Sequence, residues 1–539
     1  MRRERKLRVL IALFLLVTSI ISIRLLPVSS FESGQGIAIT GTNSGGTLGM
    51  HFVSIGDVNG DSIDDFLVGE LLNHEGRVYL FHGRPDSSWE EMTVEDADAS
   101  FVGEGYNNWF GRWTAGLGDI DGNGYADFAI SAIRNNNAAS QAGKVYIFLG
   151  GSNTIWGLDT PATQSNISIT GEAVWDNIGH GVYGIGDTNG DNYDDFIVSS
   201  FSDEGGLDSG QLYLFYGRPQ GQWLDTYSAA EANASWIGNP GDYVSMDASG
   251  IGDVNNDGYT DFAIGAWTNQ TSVSHRSVYL ILGGAGTNWT MDQPISLSNA
   301  SLIGRNNTGL GLDFWSLNWV SGAGDVNGDS FDDILVGAYD EDDGGSNSGT
   351  TYLFLGRSTE SWTHNITFSN ANASFVGESA NDWSGSSVGG AGDVNGDSFD
   401  DFVIGAPSPF DITVAQGRGR AYLILGGPSQ SLEMDTPLAN ADFIYEPEQV
   451  NAAYGMHVQG IGDVNDDGLD DFAIGAPYFD TDQTNVGKTY IILHYDQPST
   501  WPTTSTTAPP PFDITLVLMV AVPVVLVVLI GIAYFGKRR

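Results

Sequence analysis

Short apolar runs bounded by glycine, asparagine and aspartate recur along most of this chain. One series includes VYLF at 78–81, VYIF at 145–148 and LYLF at 212–215, and a second includes DFLVG at 65–69. Runs of four to eight β-branched and aromatic residues between turn residues are typical of β-strands. No sustained 3.6-residue period of an amphipathic helix occurs between residues 31 and 496. The hydrophobic pattern therefore predicts an all-β domain.

An acidic phrase of ten residues leads into each strand of the second series. A glycine-rich strand such as VSIGD precedes the phrase, and a fourth apolar run, such as that in SNISITGE at 165–172, ends the unit. Internal repeats with a period of tens of residues are typical of solenoids and propellers, in which each unit is one supersecondary element. The phrases follow one another at intervals of 62 to 72 residues and begin at Asp57, Asp119, Asp187, Asp253, Asp325, Asp393 and Asp463.

The seventh unit lacks a fourth strand, because a segment rich in proline and threonine begins soon after its KTYIILH run at 488–494. A suitable strand, GIAITGTN, stands at 36–43, ahead of the first unit. A ring in which this N-terminal strand completes the last unit explains the displacement, whereas an open solenoid does not require it. The predicted fold class is all-β, a seven-bladed β-propeller over residues 31–496, closed by an N-terminal strand.

The units resemble the FG-GAP repeats that form the β-propeller of integrin alpha subunits. The acidic phrases, WFG at 109–111, and GAP at 405–407 and 475–477 carry the resemblance, which covers about residues 36–496. Phe-Gly is degraded in several units, and the leg domains of an integrin are absent, so the resemblance is to the integrin head. It implies calcium-binding loops between the first two strands of each blade, and ligands bound on the opposite face.

Oxygen-bearing residues occupy the same positions in all seven phrases. Positions 1, 3, 5 and 9 carry side-chain oxygens, and position 7 can offer its carbonyl. Alternating oxygen ligands in a tight loop suit Ca²⁺, and glycines at position 4 or 6 let the backbone curl round an ion. Position 12 is apolar in every phrase, so the loop joins two strands and is not an EF-hand. We predict up to seven structural Ca²⁺ sites, with these ligands: Asp57, Asn59, Asp61, Ile63, Asp65; Asp119, Asp121, Asn123, Tyr125, Asp127; Asp187, Asn189, Asp191, Tyr193, Asp195; Asp253, Asn255, Asp257, Tyr259, Asp261; Asp325, Asn327, Asp329, Phe331, Asp333; Asp393, Asn395, Asp397, Phe399, Asp401; Asp463, Asn465, Asp467, Leu469, Asp471.

Three alternatives to calcium exist for the acidic phrases. Metal-free Asp/Asn turns are one, although turns do not require the same 1-3-5-9 spacing seven times. Mg²⁺ is another, but it prefers strict octahedral geometry and keeps its own waters. The third is adaptation to salt. Position 8 is often a further aspartate, but Ala126 and Thr260 replace it in two phrases, so it is not counted as a ligand.

Charge and cysteine content exclude several classes of protein. Residues 31–511 contain 12 basic and 65 acidic residues, a net charge of −53. Such a field attracts cations and repels the phosphates of nucleic acids, so no nucleic-acid partner is expected. The chain has no Cys, which excludes disulfides, thiolate metal sites and Cys nucleophiles.

Both ends of the chain have the patterns of targeting segments. Residues 1–30 combine a basic start with an apolar stretch, which predicts a signal peptide, with an uncleaved anchor as the alternative. Residues 497–511 form a Pro/Thr-rich stalk. The predicted transmembrane helix, 512–535, includes 22 uncharged residues, enough to cross a bilayer core of about 30 Å. The basic tail, 536–539, places the C-terminus in the cytoplasm. We expect a single-pass protein of the cell membrane with its N-terminal domain outside.

Adhesion or recognition of an extracellular protein or glycan is the predicted function. No catalytic motif stands in its required context, so an enzyme is not expected. The alternatives are a surface hydrolase or lyase acting on polysaccharide, and a structural component of the cell envelope. Four tryptophans recur near the loops of the ligand face, where we expect them to pack inside the blade tops: Trp109, Trp175, Trp315 and Trp383.

Asn-x-Ser/Thr sequences suggest a glycoprotein, which agrees weakly with an outside location. A chain rich in Asn, Ser and Thr gives several such sequences by chance. They begin at Asn166, Asn233, Asn269, Asn288, Asn299, Asn306, Asn365 and Asn372.

Overall fold

The structure is a computed structural model, and strands dominate the residues that it describes. Besides strands, the regular structure in these residues is a set of three-residue 3-10 turns at Val94–Asp96, Ala162–Gln164, Gln220–Gln222, Ala229–Glu231, Ile295–Leu297, Thr359–Ser361, Phe368–Asn370 and Leu438–Asn440. The described residues are 36–71, 76–85, 88–152, 156–201, 205–206, 208–244, 247–270, 273–305, 319–408, 419–428 and 432–493.

Short strands follow one another along the whole described chain. The first half contains β1 (Ile37–Thr40), β2 (Phe52–Gly56), β3 (Asp65–Glu70), β4 (Arg77–Phe81), β5 (Met92–Thr93), β6 (Ala99–Val102), β7 (Phe110–Gly118), β8 (Asp127–Ala132), β9 (Lys144–Phe148), β10 (Thr160–Pro161), β11 (Ile167–Thr170), β12 (Val182–Gly186), β13 (Asp195–Ser200), β14 (Gln211–Phe215), β15 (Thr226–Ser228) and β16 (Ala234–Ile237). The second half contains β17 (Asp247–Gly252), β18 (Asp261–Gln270), β19 (Val273–Ile281), β20 (Gln293–Pro294), β21 (Ala300–Ile303), β22 (Val320–Gly324), β23 (Asp333–Ala338), β24 (Thr350–Phe354), β25 (Ile366–Thr367), β26 (Ala373–Val376), β27 (Ser387–Gly392), β28 (Asp401–Ala406), β29 (Arg420–Ile424), β30 (Thr436–Pro437), β31 (Phe443–Tyr445), β32 (Val458–Gly462), β33 (Asp471–Ala476) and β34 (Lys488–Ile492).

These strands form seven sheets arranged as the blades of a propeller. The first strand of each blade contacts the first strands of its two neighbours, so these seven strands surround the axis of the ring. The predicted seven-bladed β-propeller is confirmed. From the axis outward, the blades are β2-β3-β4-β6-β10, β7-β8-β9-β11-β15, β12-β13-β14-β16-β20, β17-β18-β19-β21-β25, β22-β23-β24-β26-β30, β27-β28-β29-β31 and β32-β33-β34-β1-β5, numbered blades 1 to 7 in that order.

The N-terminal strand β1 closes the ring, as predicted. It pairs antiparallel with β34, with Ile37 opposite Ile491 and Thr40 opposite Lys488. Blade 7 therefore takes strands from both ends of the described chain. This closure removes the exposed edges that an open array of sheets has at its ends.

A fifth strand at the outer edge of six blades was not predicted. It has two or three residues, comes from the following unit, and lies parallel to the fourth strand, as when Thr160 and Pro161 pair with Phe101 and Val102. Such segments are too short to show an apolar period, and several contain proline, which sheets accept mainly at edges. Each outer strand ties one unit to the blade of the unit before it.

The hydrophobic core is a series of layers between neighbouring blades. Between blades 1 and 2, for example, Leu67 and Val78 share one buried cluster with Phe128 and Ile130. The second strand of a blade is packed on both sides, and all six residues of β3 are buried. This explains why these strands have continuous apolar runs and do not alternate apolar and polar residues.

A bulge ends the first strand of each blade and turns the chain into the acidic loop. In blade 1 the pairing with β3 shifts between Ser54 and Gly56, and Gly56 has a φ of +66°. A bulge adds one unpaired residue and bends its strand. All seven acidic loops therefore emerge at the same end of the ring, which we call the lower face. The opposite end is the upper face.

Blade 4 differs from the others in the length of its second and third strands. Strand β18 has ten residues and β19 has nine, against six and five for the corresponding β3 and β4. Arg276 on β19 packs over the ring of Tyr339 with 4.2 Å to its centroid and pairs with Asp340 at 3.2 Å. These contacts hold the base of the longer hairpin against blade 5.

No helix among the described residues is both long and apolar enough to cross a membrane. The predicted signal peptide (1–30), stalk (497–511), transmembrane helix (512–535) and cytoplasmic tail (536–539) lie outside the described residues. Those segments remain predictions.

Candidate metal centres and the upper face

Each acidic phrase folds into a loop around the carboxylate at its first position. In blade 1, Oδ1 of Asp57 accepts the N–H of Gly60 at 2.6 Å, and Oδ2 accepts the N–H of Ser62 at 2.7 Å. The residue at position 6 donates in this way in all seven loops, over 2.7–2.8 Å. The loop is therefore an Asx-type turn that keeps the predicted first ligand inside its curve.

Positions 4 and 6 of every loop have a left-handed backbone, which explains their residues. Glycine, asparagine and aspartate tolerate positive φ best, and position 4 is always one of these. The φ is 83° at Gly60, 55° at Asn256 and 60° at Asp466. Position 6 includes serines such as Ser62 at 72°, which bear the conformational strain of a residue with a Cβ.

The aspartate at position 9 is completely buried and joins the loop to the third strand. Asp127 Oδ2 accepts the N–H of Ile120 at 3.0 Å, and its Oδ1 accepts the N–H of Gly150 at 2.8 Å. Burial raises the pKa of Asp127 to about 8, and the same cause raises the pKa of Asp195 to about 7. A cation beside these carboxylates would favour their ionised form.

Blade 2 brings three predicted ligands together most closely. Asp119, Asp121 and Asp127 each offer a carboxylate oxygen, and these oxygens lie within 4.8 Å of one another. Oδ2 of Asp121 is buried and accepts no hydrogen bond from the protein. A buried acceptor without a donor is costly, whereas a cation would satisfy it.

Position 3 shows the same unsatisfied oxygen in two further blades. Oδ1 of Asn255 in blade 4 and Oδ1 of Asn327 in blade 5 are buried without a hydrogen-bond partner. Both side chains instead donate from Nδ2 to the aspartate at position 9 of their own loop. The amide is therefore turned so that its oxygen faces away from every protein donor, which fits a hard-cation ligand.

Blade 1 has one additional residue beside its loop. Nδ1 of His82 lies 3.1 Å from Oδ1 of Asp65 and 3.1 Å from Nδ2 of Asn59. Burial alone lowers the pKa of His82, but the hydrogen bond and charge of Asp65 outweigh it, so the pKa is raised. The signal for this contact in the sequence was the HG that follows the third strand, where the other units have LG, YG or LH.

Position 8, which was not counted as a ligand, connects neighbouring blades. Oδ2 of Asp332 in blade 5 accepts the N–H of Asp253 in blade 4 at 2.6 Å, and the N–H of Asp332 donates to the carbonyl of Asp253 at 3.2 Å. Asp64 and Asp463 pair through the same backbone contacts where blade 1 meets blade 7. We call this reciprocal contact the inter-blade clasp.

Position 7 also contacts the preceding blade. The ring of Tyr125 covers Gly60, where an added Cβ would lie 2.3 Å from Cε1 of the tyrosine, and Tyr193 covers Gly122 in the same way at 2.4 Å. The predicted ligand loops are thus in contact with one another round the lower face. At Gly60 and Gly122, both the positive φ and the neighbouring tyrosine ring favour glycine at position 4.

Comparison with known families agrees with this repeat geometry. The family model of the FG-GAP repeat matches residues 110–148, 317–354, 384–424 and 460–492. The first three ranges contain the first three strands of blades 2, 5 and 6, and the last contains the end of β32 and the next two strands of blade 7. The chain therefore contains FG-GAP repeats and is similar to integrin alpha subunits. Blades 1, 3 and 4 lie outside the matched ranges but have the same loop hydrogen bonds.

Curated relatives share only part of their length with this FG-GAP protein. Integrin alpha pat-2 of Caenorhabditis briggsae is 37% identical over 109 residues, which are 20% of this chain and 9% of that protein. Integrin alpha-PS2 of Drosophila melanogaster is 39% identical over 90 residues, 16% of this chain and 6% of that protein. Integrin alpha-IIb of Mus musculus is 33% identical over 211 residues, 37% of this chain and 19% of that protein.

Two solved structures also align with most of the chain, but with low scores. The fucose-specific lectin from Aleuria aurantia has a TM-score of 0.32 and 11% identity, and covers 77% of this chain and 96% of the lectin. The biofilm matrix protein Bap1 of V. cholerae has a TM-score of 0.31 and 12% identity, and covers 87% of this chain and 90% of Bap1. Scores this low transfer no property to this protein.

The upper face of the FG-GAP ring exposes two of the four tryptophans. The side chain of Trp109 is 39% exposed and that of Trp175 is 59% exposed, so the expectation that they pack inside the blade tops is wrong for both. Trp383 is half-buried and lies 5.9 Å from the ring of Tyr339, and Trp315 lies outside the described residues. All three described tryptophans have a left-handed backbone, with φ of +56° at Trp109, +73° at Trp175 and +55° at Trp383.

Ordered loops support these exposed side chains. The loop between β8 and β9 is held by Asn136, whose Oδ1 accepts the N–H of Gln141 at 2.9 Å. The acidic loop of blade 5 repeats this contact between Asp342 and Asn347 at 2.7 Å. Its other acids pair with arginines, as Asp343 does with Arg305 at 2.7 Å. The upper loops are therefore fixed by their own hydrogen bonds.

Two buried histidines occupy matching repeat positions, in GMHF at 49–52 and GMHV at 455–458, and have a structural role. His51 and His457 are each at most 2% exposed, and their rings stack with 4.9 Å between centroids. Nδ1 of His51 lies 3.0 Å from Oγ1 of Thr114. Burial is the main cause that lowers the pKa of both, so they are neutral members of the core where blades 7, 1 and 2 meet.

Proposed function

We propose that this protein is a cell-surface adhesion or recognition protein whose upper face binds an extracellular protein or glycan. The similarity to integrin alpha FG-GAP repeats suggests this class of function. The observation that carries the proposal is the exposure of Trp109 and Trp175 on rigid upper loops. Exposed aromatic side chains are the commonest anchors of binding surfaces.

Binding arrays test this proposal. The purified full-length protein is applied with calcium to glycan and extracellular-protein arrays, beside a variant carrying Trp109→Ala and Trp175→Ala. We expect one or a few ligands for the wild type and reduced signal for the variant. A protein that binds nothing at high concentration, or whose variant binds equally well, contradicts the proposal.

We also propose that structural Ca²⁺ occupies the seven acidic loops. The side chains at positions 1, 3, 5 and 9 and the carbonyl at position 7 would hold each ion. The support is the unsatisfied oxygen at position 3, seen at Asp121, Asn255 and Asn327. The ion would supply positive charge to carboxylates that otherwise repel one another, and would not be consumed.

Thermal unfolding with and without chelator tests the calcium proposal. A ligand of the native state stabilises it by RT ln(1 + [L]/Kd), about 1.4 kcal/mol per site at ten times Kd. We expect chelator to lower the Tm, calcium to restore it, and elemental analysis to find calcium in the purified protein. An unchanged Tm or a metal-free protein contradicts the proposal.

Membrane anchoring through residues 512–535 completes the proposal. Its support is the uncharged length of this segment followed by basic residues. Protease applied to intact cells should release the propeller and leave the C-terminal tail protected. Release of the whole protein by a salt wash would contradict a transmembrane anchor.

A further inference from the structure

Basic side chains are few in the described part of the chain, and most of them have defined partners there. Among the residues that the structure describes, seven lysines and arginines lie within 4 Å of a carboxylate oxygen. Those seven are Arg77, Arg84, Lys144, Arg276, Arg305, Arg420 and Lys488. Since the chain is strongly acidic, pairing of its cations is the expected arrangement.

Two further arginines have a repeated structural role near the lower face. Arg218 donates from Nε to the carbonyl of Tyr216 at 3.2 Å and lies over the ring of Trp223 at 4.6 Å. Arg357 makes the same two contacts with Leu355 and Trp362. Neither has a carboxylate partner, but the stacking and the carbonyl contact explain both.

Arg112 and Arg134 are the described basic residues whose side chains have neither a carboxylate nor a backbone carbonyl as partner, and both lie at the upper end of blade 2. Arg134 is exposed and its guanidinium stacks on Trp109 with 3.6 Å to the ring centroid. Neither arginine pairs with a carboxylate of the described residues. In a chain with a net charge of −53 over residues 31–511, two cations without a carboxylate partner at the same end of one blade are an exception that calls for an anionic partner.

The backbone at Arg112 is shaped by a bulge. The pairing of β7 with β8 shifts between Phe110 and Thr114, so Arg112 lies in the unpaired stretch and its side chain is re-aimed. Its Nη1 is buried and has no hydrogen-bond partner. An unpaired buried charge costs several kcal/mol unless an anion joins it.

His180 of blade 3 provides a further polar side chain close to Arg112. It is half-buried and packs against Phe201 with 4.0 Å between ring centroids. Burial, with a smaller repulsion from Arg112, lowers the pKa of His180 to about 3. Its imidazole is therefore neutral at pH 7 and can donate one hydrogen bond.

Three upper loops form a continuous surface beside Arg112. The backbone N–H of Arg134 donates to the carbonyl of Asn108 at 3.1 Å, and the backbone N–H of Trp175 donates to the carbonyl of Ser140 at 3.0 Å. These contacts join residues 104–109, 134–141 and 172–177 side by side. We call the surface of these three segments, with Arg112 and His180, the blade 2 crown. It exposes aromatic rings and amides: Tyr106, Asn107, Trp109, Asn136, Asn137 and Trp175.

We propose that the blade 2 crown binds an acidic glycan, with a uronate carboxylate at Arg112 and a sugar ring against an exposed aromatic side chain. This inference rests on the proposed recognition function and names its ligand class. A guanidinium can hold a carboxylate through two parallel N–H···O bonds. The apolar face of a sugar ring fits the flat surface of Trp175, whose side chain is more than half exposed.

The surrounding polar groups favour a sugar over an acidic protein segment. Amide side chains donate and accept at once, as the hydroxyl groups of a sugar do. A protein partner would need a wider apolar centre, whereas the exposed large apolar side chains of the crown are Tyr106, Trp109, Val174 and Trp175.

Calorimetric titration of the full-length protein in calcium tests the inference. The probes are a glucuronate-containing oligosaccharide, the same oligosaccharide with its carboxyl groups reduced to alcohols, and an oligoglutamate peptide. We expect the acidic oligosaccharide to bind and the reduced one not to bind. Arg112→Gln should weaken binding about 30-fold or more, and Arg134→Gln about threefold because that side chain is exposed.

A matched variant and a stability measurement separate recognition from folding. Arg357→Gln removes the same charge near the opposite face and should leave binding unchanged. Because Arg112 Nη1 has no protein partner, Arg112→Gln should not lower the Tm in calcium, unlike the loss of a structural arginine.

Four results would overturn the inference. The first is no binding of the acidic oligosaccharide, and the second is equal binding of the reduced one. The third is a lower Tm of Arg112→Gln alongside its loss of binding. The fourth is tighter Arg112-dependent binding of the peptide, which would assign the crown to a protein partner. An array ligand that binds independently of Arg112 would refute the crown as its site and leave the recognition function standing.

Discussion

The third position of the acidic loop has a buried oxygen without a hydrogen-bond donor in three blades. In blade 2 the oxygen without a donor belongs to Asp121, and in blades 4 and 5 to Asn255 and Asn327. Asparagine occupies this position in the six other loops. A carbonyl-type oxygen is therefore what the position requires, and a charge there is optional.

The effect of substituting Asp121 on the Tm should differ in direction between calcium and chelator. Asp121→Ala removes a ligand, so it should lower the Tm by about 1–2 °C in calcium. In chelator it removes a buried unsatisfied carboxylate, so the Tm should stay or rise. Asp121→Asn, which restores the residue of the other loops, is the control and should keep the Tm in calcium. Thermal scans of the three proteins under both conditions measure this, and an equal loss for Asp121→Ala with and without calcium contradicts it.

Asp247 gives a pH dependence that is independent of the metal loops. It is 1% exposed, accepts the N–H of Val320 at 3.0 Å, and lies 3.3 Å from the hydroxyl of Tyr183. Burial raises its pKa to about 7, above the unfolded value of about 3.9. The folded state thus binds its proton more tightly, and this contribution to stability falls as pH rises from about 4 to about 7.

Comparison with Asp247→Asn isolates that contribution. In saturating calcium, the free energy of unfolding should fall with rising pH more steeply for the wild type than for the variant. The difference over this range should be up to about 1.4 kcal/mol per pH unit. The amide variant is expected to be less stable at low pH, because its Nδ2 faces a backbone donor. Denaturant unfolding at several pH values measures the difference, and parallel curves for the two proteins would show that Asp247 does not titrate there.

Among the elements, the inter-blade clasp joins loops whose residues are about 75 positions apart in the chain. Blade 2 has Ala126 at the clasp position, where only the backbone half remains, with its N–H 3.0 Å from the carbonyl of Asp57. This explains why alanine is tolerated at a position that is usually aspartate. It also shows that the side-chain half is an addition to a contact that the backbone already makes.

Removing one side-chain clasp should weaken one junction of the ring. Asp332→Ala leaves the buried N–H of Asp253 without its acceptor, and the cost should be about 1–2 kcal/mol. Thr260→Ala is the matched control in blade 4, because Oγ1 of Thr260 has no hydrogen-bond partner. Denaturant unfolding in calcium should show a loss for the first variant and little change for the second. Equal effects of the two substitutions would mean that the clasp carboxylate does not contribute to stability.

For the whole molecule, the net charge sets how stability responds to salt. Seven divalent ions would reduce the charge of residues 31–511 from −53 to −39. Self-repulsion destabilises a compact state, and salt screens it. Raising NaCl from about 0.02 M to about 0.5 M should therefore raise the Tm in chelator more than in calcium. Thermal scans over this range check the prediction, and identical salt responses contradict it.

The first four strands of each blade and their order could be predicted because the information is local. Each strand is a run of apolar residues between turn residues, and each loop repeats its ligand positions within ten residues. Even the displaced strand at 36–43 could be placed, since the seventh unit lacked one. The outer strands, such as Thr160–Pro161, could not, because a two-residue pairing has no period of its own.

The sequence by itself determined the repeat, the seven blades, the closing strand and the candidate ligand positions. Each of these depends on residue types at short spacings, which fix local conformation and the faces of strands. The tertiary structure alone decided that position 8 connects blades, that Trp109 and Trp175 are exposed, and that Arg112 has no counter-charge. Those facts depend on neighbours from other units of the chain, brought into contact only when the ring closes.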